Sequence, residues 1–140
     1  MQRLELKWQT IRGLVPAAEI EDQSQRVGVL FYGTTALPMR EALDLLLEDG
    51  IALDSCRVRA FPFGADVESF VQSNDLVFVV EQNRDAQMRT LLINELQTSP
   101  AKLVPILYYA GLSISADTIH QQISEYYIAN RLARISEVHS

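Results

Sequence analysis

The stretch Val27-Gly-Val-Leu-Phe-Tyr32, followed by Gly33-Thr-Thr35, decides the fold class of this 140-residue chain. A short, almost wholly apolar run ended by a glycine is typical of a β-strand that is buried on both faces. Pro38 falls in the first turn of the next segment, where its missing N–H costs nothing. Apolar residues then recur at helical spacing, and a glycine follows where a C-cap belongs: Met39, Ala42, Leu43, Leu46, Leu47 and Gly50. The pattern predicts a strand, a turn and a helix.

The same alternation repeats to the end of the chain. Residues 55–60 alternate apolar and polar side chains, which predicts a strand nearer a sheet edge. Leu76–Val80 is a second wholly apolar strand, and Pro105 favours an edge position for Leu103–Leu107. The predicted N-caps of the intervening helices are the following residues: Asp66, Asp85 and Ser115. Strands that alternate with helices indicate parallel pairing and right-handed crossovers.

Residues 1–26 differ from the rest of the chain and are interpreted as an N-terminal arm or interdomain linker, with one α/β domain over 27–140. Gly13 and Pro16 interrupt this arm, and the polar run Glu19–Arg26 ends it. A short strand is predicted near Ala17–Ile20.

Composition excludes several classes of function. The net charge of −6 disfavours binding to a phosphate backbone, so we expect no nucleic-acid partner. The single cysteine excludes an internal disulfide or a CxxC site, and two histidines make a multi-ligand transition-metal site unexpected. No apolar run approaches the ~20 residues that span a bilayer, and Met1–Trp8 has no signal-peptide core. We therefore expect a soluble, cytoplasmic protein without a membrane partner.

A crevice is predicted where the two wholly apolar strands end. If 27–32 and 76–80 are neighbours in a doubly wound sheet, the chain changes direction between them, and ligands bind at such a switch point. The candidate docking or crevice residues are the following: Gly33, Thr34, Thr35, Glu81, Gln82, Asn83, Arg84 and Gln87. The helix after Thr35 would add a positive dipole end. The simpler interpretation is that Thr34 or Thr35 only caps a helix and that residues 81–84 form an ordinary turn.

Three motifs, in order along the chain, resemble one family. They are similar to segments of 2-oxoacid:ferredoxin (flavodoxin) oxidoreductase α subunits. The first is Gly33-Thr34-Thr35 with Glu41-Ala42, the second is Arg59-Ala60-Phe61-Pro62-Phe63, and the third is Val80-Glu81-Gln82-Asn83 with Gln87-Met88. The resemblance covers roughly residues 7–125. It implies the subunit's C-terminal domain, which has a transketolase C-terminal-like fold: a three-layer αβα sandwich whose five-stranded, mostly parallel sheet contains one antiparallel strand.

The complete enzymes of this family convert a 2-oxoacid to acyl-CoA by oxidative decarboxylation and reduce ferredoxin. The resemblance implies thiamine diphosphate, Mg, coenzyme A and iron–sulfur clusters for the complete enzyme, and no cofactor, catalytic residue or metal ligand in this domain. The implied partners are the remaining domains of the α subunit, the thiamine-binding β subunit and, through the whole complex, ferredoxin. We expect a docking domain that is inactive alone.

The residues leave one alternative function open, a free-standing flavodoxin-like module that binds a small ligand through the Thr34–Thr35 loop. Single reactive groups have structural interpretations. Cys56 is expected to be a buried structural thiol and His120 a surface or half-buried helix residue, because neither has a partner motif in the sequence. Arg57 and Arg59 are expected to form a solvated or docking face. A general-base role for Glu81 is not expected, since the family places its activating glutamate in another domain.

Overall fold

A computed structural model describes residues 17–21, 26–83, 85–108 and 115–139, with the side chains of Thr34 and of residues 131–139 left out. The strands are β1 (Glu19–Glu21), β2 (Val27–Tyr32), β3 (Asp54–Val58), β4 (Leu76–Glu81) and β5 (Leu103–Leu107). The α-helices are α1 (Ala36–Glu48), α2 (Ala65–Ser73), α3 (Gln87–Leu96) and α4 (Ala116–His139), with 3₁₀ turns at Gly33–Thr35 and Pro100–Lys102.

All five strands form one sheet in the order β1-β3-β2-β4-β5. Its pairs are parallel except for β1, which runs antiparallel to β3. The two wholly apolar strands are therefore adjacent, as predicted. The single antiparallel member is the predicted N-terminal strand, formed by Glu19–Glu21 rather than Ala17–Ile20.

Helices cover both faces of the sheet, which confirms the three-layer sandwich. Because side chains alternate along a strand, β2 supplies Val29 to one core and Leu30 to the other. The first core packs against α1 and α4, where the Tyr126 ring lies 5.2 Å from that of Phe78. The second core packs against α2 and α3 and contains Cys56. The interpretation of Cys56 as a buried structural thiol is thus confirmed.

Strand positions agree with the sequence pattern except at β3. Pro105 does lie in the edge strand β5. The strand predicted over 55–60 spans Asp54–Val58 and is one strand in from the edge, because β1 pairs with its outer side. The polar Ser55 is accordingly only 6% exposed. The strand β1 has only three residues, so its sequence shows no clear periodicity. The sequence therefore did not predict that β1 would pair with β3 and make β3 an inner strand.

Two of the three predicted helix caps are wrong. Ser115 does precede α4, and its Oγ accepts the N–H of Thr118 at 3.2 Å. The N-cap of α2 is Gly64, while Asp66 lies inside the first turn. The N-cap of α3 is Ala86, in a left-handed conformation, so Asp85 lies outside the helix. Neither Gly64 nor Ala86 makes a side-chain cap bond. In the first turn of α2, Oδ1 of Asp66 accepts the N–H of Val67 at 2.8 Å.

Candidate functional site

The carboxyl ends of β2 and β4 meet at one edge of the sheet, called here the carboxyl edge. The amide of Gln82, after β4, donates a hydrogen bond of 3.1 Å to Oγ1 of Thr35, after β2. The two predicted loops are therefore in contact. Gly33 begins the 3₁₀ turn with a φ of +64°, a conformation that favours glycine. Thr35 is 3% exposed, so its hydroxyl is engaged inside the protein rather than presented to a ligand.

Glu81, the last residue of β4, is completely buried. Its carboxylate accepts hydrogen bonds from the backbone N–H groups of Met88 at 2.6 Å and Arg89 at 3.2 Å. Both belong to the first turn of α3, whose N–H groups have no partner within the helix. The negative carboxylate also complements the positive end of the helix dipole. Glu81 therefore caps α3 from the strand before it, which is the role predicted for Asp85.

Two further side chains complete the coordination of this carboxylate. The Tyr32 hydroxyl donates to Oε1 of Glu81 at 3.2 Å, and the Asn83 amide donates to the same oxygen at 3.1 Å. The Asn83 amide also lies 3.3 Å from the Tyr32 hydroxyl oxygen. Burial of the phenol, followed by the charge of Glu81 and the hydrogen bond to it, raises the pKa of Tyr32. The phenol thus stays protonated and donates to the carboxylate.

The carbonyl side of Asn83 closes the loop that leads into α3. Its Oδ1 accepts the backbone N–H of Asp85 at 3.1 Å and that of Gln87 at 3.5 Å. Ala86, which lies between these two residues, adopts a positive φ. Glu81 and Asn83 therefore use their polar groups within the protein. The name "Glu81 network" is used below for Tyr32, Glu81, Asn83 and the first turn of α3.

The outer surface of the carboxyl edge consists of other residues. Gly33, Gln82 and Gln87 are exposed, and Gln87 is the first residue of α3. Phe61, three residues after β3, exposes 51% of its surface although its ring packs edge-on against Phe63 at 5.4 Å. Among the predicted site residues, Arg84 and the Thr34 side chain lie outside the described residues. Sequence reasoning did not single out Phe61 as a surface residue, because an aromatic beside a strand end is usually core.

Cys56 and His120, the two other reactive side chains singled out in the sequence, both have structural surroundings. Burial raises the pKa of the Cys56 thiol to about 12, so the nucleophilic thiolate is scarce. His120, half-buried as predicted, contacts Asp49 at 2.5 Å beyond the far end of α1. Among the described residues, no three His, Cys, Asp or Glu side chains are placed to hold a metal ion, and no helix is long and apolar enough to cross a membrane.

The fold and this edge define a three-layer α/β domain whose crevice is filled by its own polar groups. No family model matches the chain. Subunit alpha of 2-oxoacid:ferredoxin oxidoreductase 2 from Aeropyrum pernix is 32% identical over 98 residues, covering 66% of this chain and 15% of the relative. A 2-oxoglutarate:ferredoxin oxidoreductase structure from Magnetococcus marinus, with 2-oxoglutarate, coenzyme A and succinyl-CoA bound, superimposes with a TM-score of 0.72 at 23% identity, covering 85% of this chain and 21% of that one.

A second solved neighbour is the alpha chain of a probable 2-oxoacid ferredoxin oxidoreductase from Thermoplasma acidophilum. Its TM-score is 0.53 at 23% identity, and the match covers 79% of this chain and 96% of that one. These comparisons confirm the family resemblance, because the homologue is a 2-oxoacid:ferredoxin oxidoreductase α subunit and the solved neighbours share the fold of this chain. The partial coverage fits one domain of such a subunit. The chain spans about 15% of the curated relative's length.

Proposed function

We propose that this chain is the non-catalytic C-terminal domain of a 2-oxoacid:ferredoxin oxidoreductase α subunit and acts in docking. Its carboxyl edge would contact the other α-subunit domains or the thiamine-binding β subunit in a cytoplasmic hetero-oligomer. The observation that carries the proposal is the composition of that edge: Phe61, which follows β3, and the polar Gln82 and Gln87, which follow β4, are all exposed where these parallel strands end. An aromatic anchor with a polar surround is typical of protein interfaces.

The direction of β1 supports the choice of this edge. Glu19 pairs with Arg57 and Glu21 with Ser55, so β1 starts at the end where β3 finishes. Ala17 and Ala18, which lead into β1, therefore lie toward the carboxyl edge. A domain that precedes Ala17 in the complete subunit would be joined on the same side as Phe61 and Gln82.

The Glu81 network gives this edge a fixed shape. Its buried carboxylate accepts four hydrogen bonds, two of which, from Met88 and Arg89, join the end of β4 to the start of α3. An interface that is already ordered loses less conformational entropy when it binds its partner. In this proposal Glu81 and Asn83 act indirectly, by positioning Gln82 and Gln87, rather than by touching the partner.

The cofactors of the complete enzyme are assigned to its other parts. Thiamine diphosphate, Mg, coenzyme A and iron–sulfur clusters would supply the decarboxylation, acyl transfer and electron transfer there. A four-thiolate cluster does not fit this chain, since its one cysteine is buried.

Copurification of the complete enzyme tests the docking role. In that complex, Phe61→Asp combined with Gln82→Ala is expected to reduce recovery of the β subunit and turnover by at least tenfold, while the isolated variant chain keeps its native circular dichroism spectrum at the assay temperature. Ile128→Asp is the matched control, because Ile128 is a 60% exposed apolar residue on α4. Assembly and turnover at the control level would contradict the proposal. So would 2-oxoacid turnover with a viologen acceptor by the isolated chain.

A further inference from the structure

The outer flank of α1 carries two leucines that the described part of the chain leaves exposed. The opposite side of this helix packs into the first core through residues that include Met39, Ala42 and Leu46. Leu37 nevertheless exposes 85% of its surface, and Leu47 exposes 57%. Single exposed leucines are ordinary on protein surfaces. Two of them on one face of one helix form a candidate contact surface.

Leu37, Arg40, Asp44 and Leu47 form one stripe along this flank. Their i, i+3, i+7, i+10 spacing keeps them on one face of the helix, and all four are exposed. They border the same side of α1, because Leu37, Arg40 and Asp44 line one cavity beside β1, while Asp44 and Leu47 line the next. These four residues are called here the α1 stripe.

The two charged residues of the α1 stripe have no partner within the described part of the chain. Arg40 and Asp44 are four residues apart, a spacing at which side chains on a helix can meet, yet neither makes a hydrogen bond or an ion pair there. A base that precedes an acid is the weaker order for such a pair, because it opposes the helix dipole. Both charges are therefore available to another molecule.

The α1 stripe is complementary to a second copy of itself. Leu37 and Leu47 lie at equal distances on either side of position 42, and so do Arg40 and Asp44. Two antiparallel α1 helices centred on that position would place each leucine opposite a leucine and each arginine opposite an aspartate. A two-fold symmetric interface requires such a surface, in which residue i contacts residue j and residue j contacts residue i.

We propose that the α1 stripe is a self-association surface, on which a second copy of this chain packs its own α1 in the antiparallel direction. Leu37 of each copy contacts Leu47 of the other, and Arg40 of each copy pairs with Asp44 of the other. The charges set the register, because a parallel pair centred on the same position would place like charges opposite each other. The leucines at both ends exclude water from the two ion pairs between them.

The size of the α1 stripe indicates a weak dimer. The 13-residue α1 is about 20 Å long and about 10 Å wide, so its footprint is about 200 Å² on each copy. The total of about 400 Å² is far below the ~1,200 Å² of a stable complex, which places the association among weak and transient contacts. We therefore expect a dissociation constant on the order of 100 μM.

Sedimentation equilibrium of the 140-residue chain tests the association, in salt of about 0.15 M so that the net charge of −6 is screened. A reversible monomer–dimer equilibrium is expected between about 20 μM and 1 mM. Arg40→Asp or Asp44→Arg alone should weaken it at least tenfold, because each places like charges opposite each other. The double variant Arg40→Asp/Asp44→Arg should restore the original constant within about twofold, since both pairs are then reversed but still opposite. Glu95→Arg, an exposed charge reversal on α3, is the control.

Cross-linking tests the antiparallel register. In a Cys56→Ala background, one preparation carries Leu37→Cys and another carries Leu47→Cys, and both are treated with a bifunctional maleimide that reaches less than about 15 Å. The mixture should cross-link at least fivefold faster than either preparation alone, because the antiparallel pairing places equal positions ten residues, or about 15 Å, apart. Mixing Leu37→Cys with Ile128→Cys, which exposes a thiol on α4 instead, should give only the rate of random collision.

Several outcomes would contradict the proposal. The chain could stay monomeric up to about 1 mM, or the double charge reversal could associate as weakly as the single variants. Either cysteine preparation could also cross-link with itself as fast as the mixture does. A monomeric chain whose Leu37→Cys thiol cross-links only to another subunit of the complete enzyme would assign the α1 stripe to that subunit instead. The sedimentation and register measurements need neither the β subunit nor Phe61, so failure of the docking proposal would leave this one in place.

Discussion

The carboxylate of Glu81 accepts the backbone N–H of Met88 across 2.6 Å, seven residues further along the chain. This bond joins the end of β4 to the first turn of α3, between which the backbone runs through a loop at the carboxyl edge. A completely buried carboxylate is expensive to desolvate unless hydrogen bonds compensate it. Here four donors surround it, so the loop and the helix terminus depend on one side chain.

Glu81→Ala should destabilise the domain by on the order of 3 kcal/mol, because it leaves two N–H groups of α3, the Tyr32 hydroxyl and the Asn83 amide without their acceptor. Glu81→Gln should destabilise the domain less than Glu81→Ala. Its carbonyl oxygen still accepts hydrogen bonds, whereas its new NH2 group faces an N–H donor and cannot accept from it. Urea unfolding followed by circular dichroism measures both. Glu95→Ala, an exposed change on the same helix, is the control. Equal midpoints for Glu81→Ala and the control would show that the network contributes nothing.

Tyr32 should make stability sensitive to alkaline pH. Burial, the Glu81 charge and the hydrogen bond to it raise the folded pKa above the ordinary value of 10.0, so the folded state holds the phenolic proton more tightly. This contribution is complete below about pH 10 and is lost as pH rises through the folded pKa. Tyr32→Phe should lower the free energy of unfolding by about 1 kcal/mol at pH 7 and should reduce the loss of stability above pH 10. Parallel pH profiles of unfolding for the two proteins would refute this.

The sheet was predictable because its central strands carry their own signal. Val27–Tyr32 and Leu76–Val80 are apolar on both faces, which places them side by side in the middle of an α/β sheet, and that is where they lie. The meeting of the Thr35 and Gln82 loops then follows from the topology. The short β1 was located only approximately, since three residues define no period.

The cap of α3 was not predictable by the same reasoning. Local capping rules look for an acid or hydroxyl immediately before a helix, and Asp85 satisfies them. The structure uses Glu81 instead, because the loop returns the helix terminus to the end of β4. Glu81 also differs from Gln82 in burial, although the two are adjacent and polar. A linear sequence does not show which of them faces the interior, so the exposed part of the candidate site required the structure.

Cys56 should resist modification in the folded protein. It is fully buried on β3, and burial raises the pKa of its thiol to about 12, so almost no thiolate is present at pH 8. We expect a disulfide reagent to label the native chain at least a hundredfold more slowly than the urea-unfolded chain. A cysteine placed at the exposed position 95 by Glu95→Cys, in a Cys56→Ala background, should react at the rate of an ordinary surface thiol. Rapid labelling of native Cys56 would mean that β3 opens readily.

Gly28 allows α2 to approach the centre of the sheet. A Cβ at this position would lie 2.6 Å from Cζ of Phe70 and 3.2 Å from the Asn74 amide nitrogen, both in the packed second layer. Gly28→Ala should therefore cost about 2 kcal/mol through overpacking, and Phe70→Leu should recover part of that loss when the two changes are combined. Gly33→Ala is the informative comparison, because nothing lies within 4 Å of its added Cβ and only its φ of +64° opposes the change. Its cost, about 1 kcal/mol, should be unaffected by Phe70→Leu. Double-mutant cycles from urea unfolding distinguish the two causes, and additive effects of Gly28→Ala and Phe70→Leu would rule out the proposed contact.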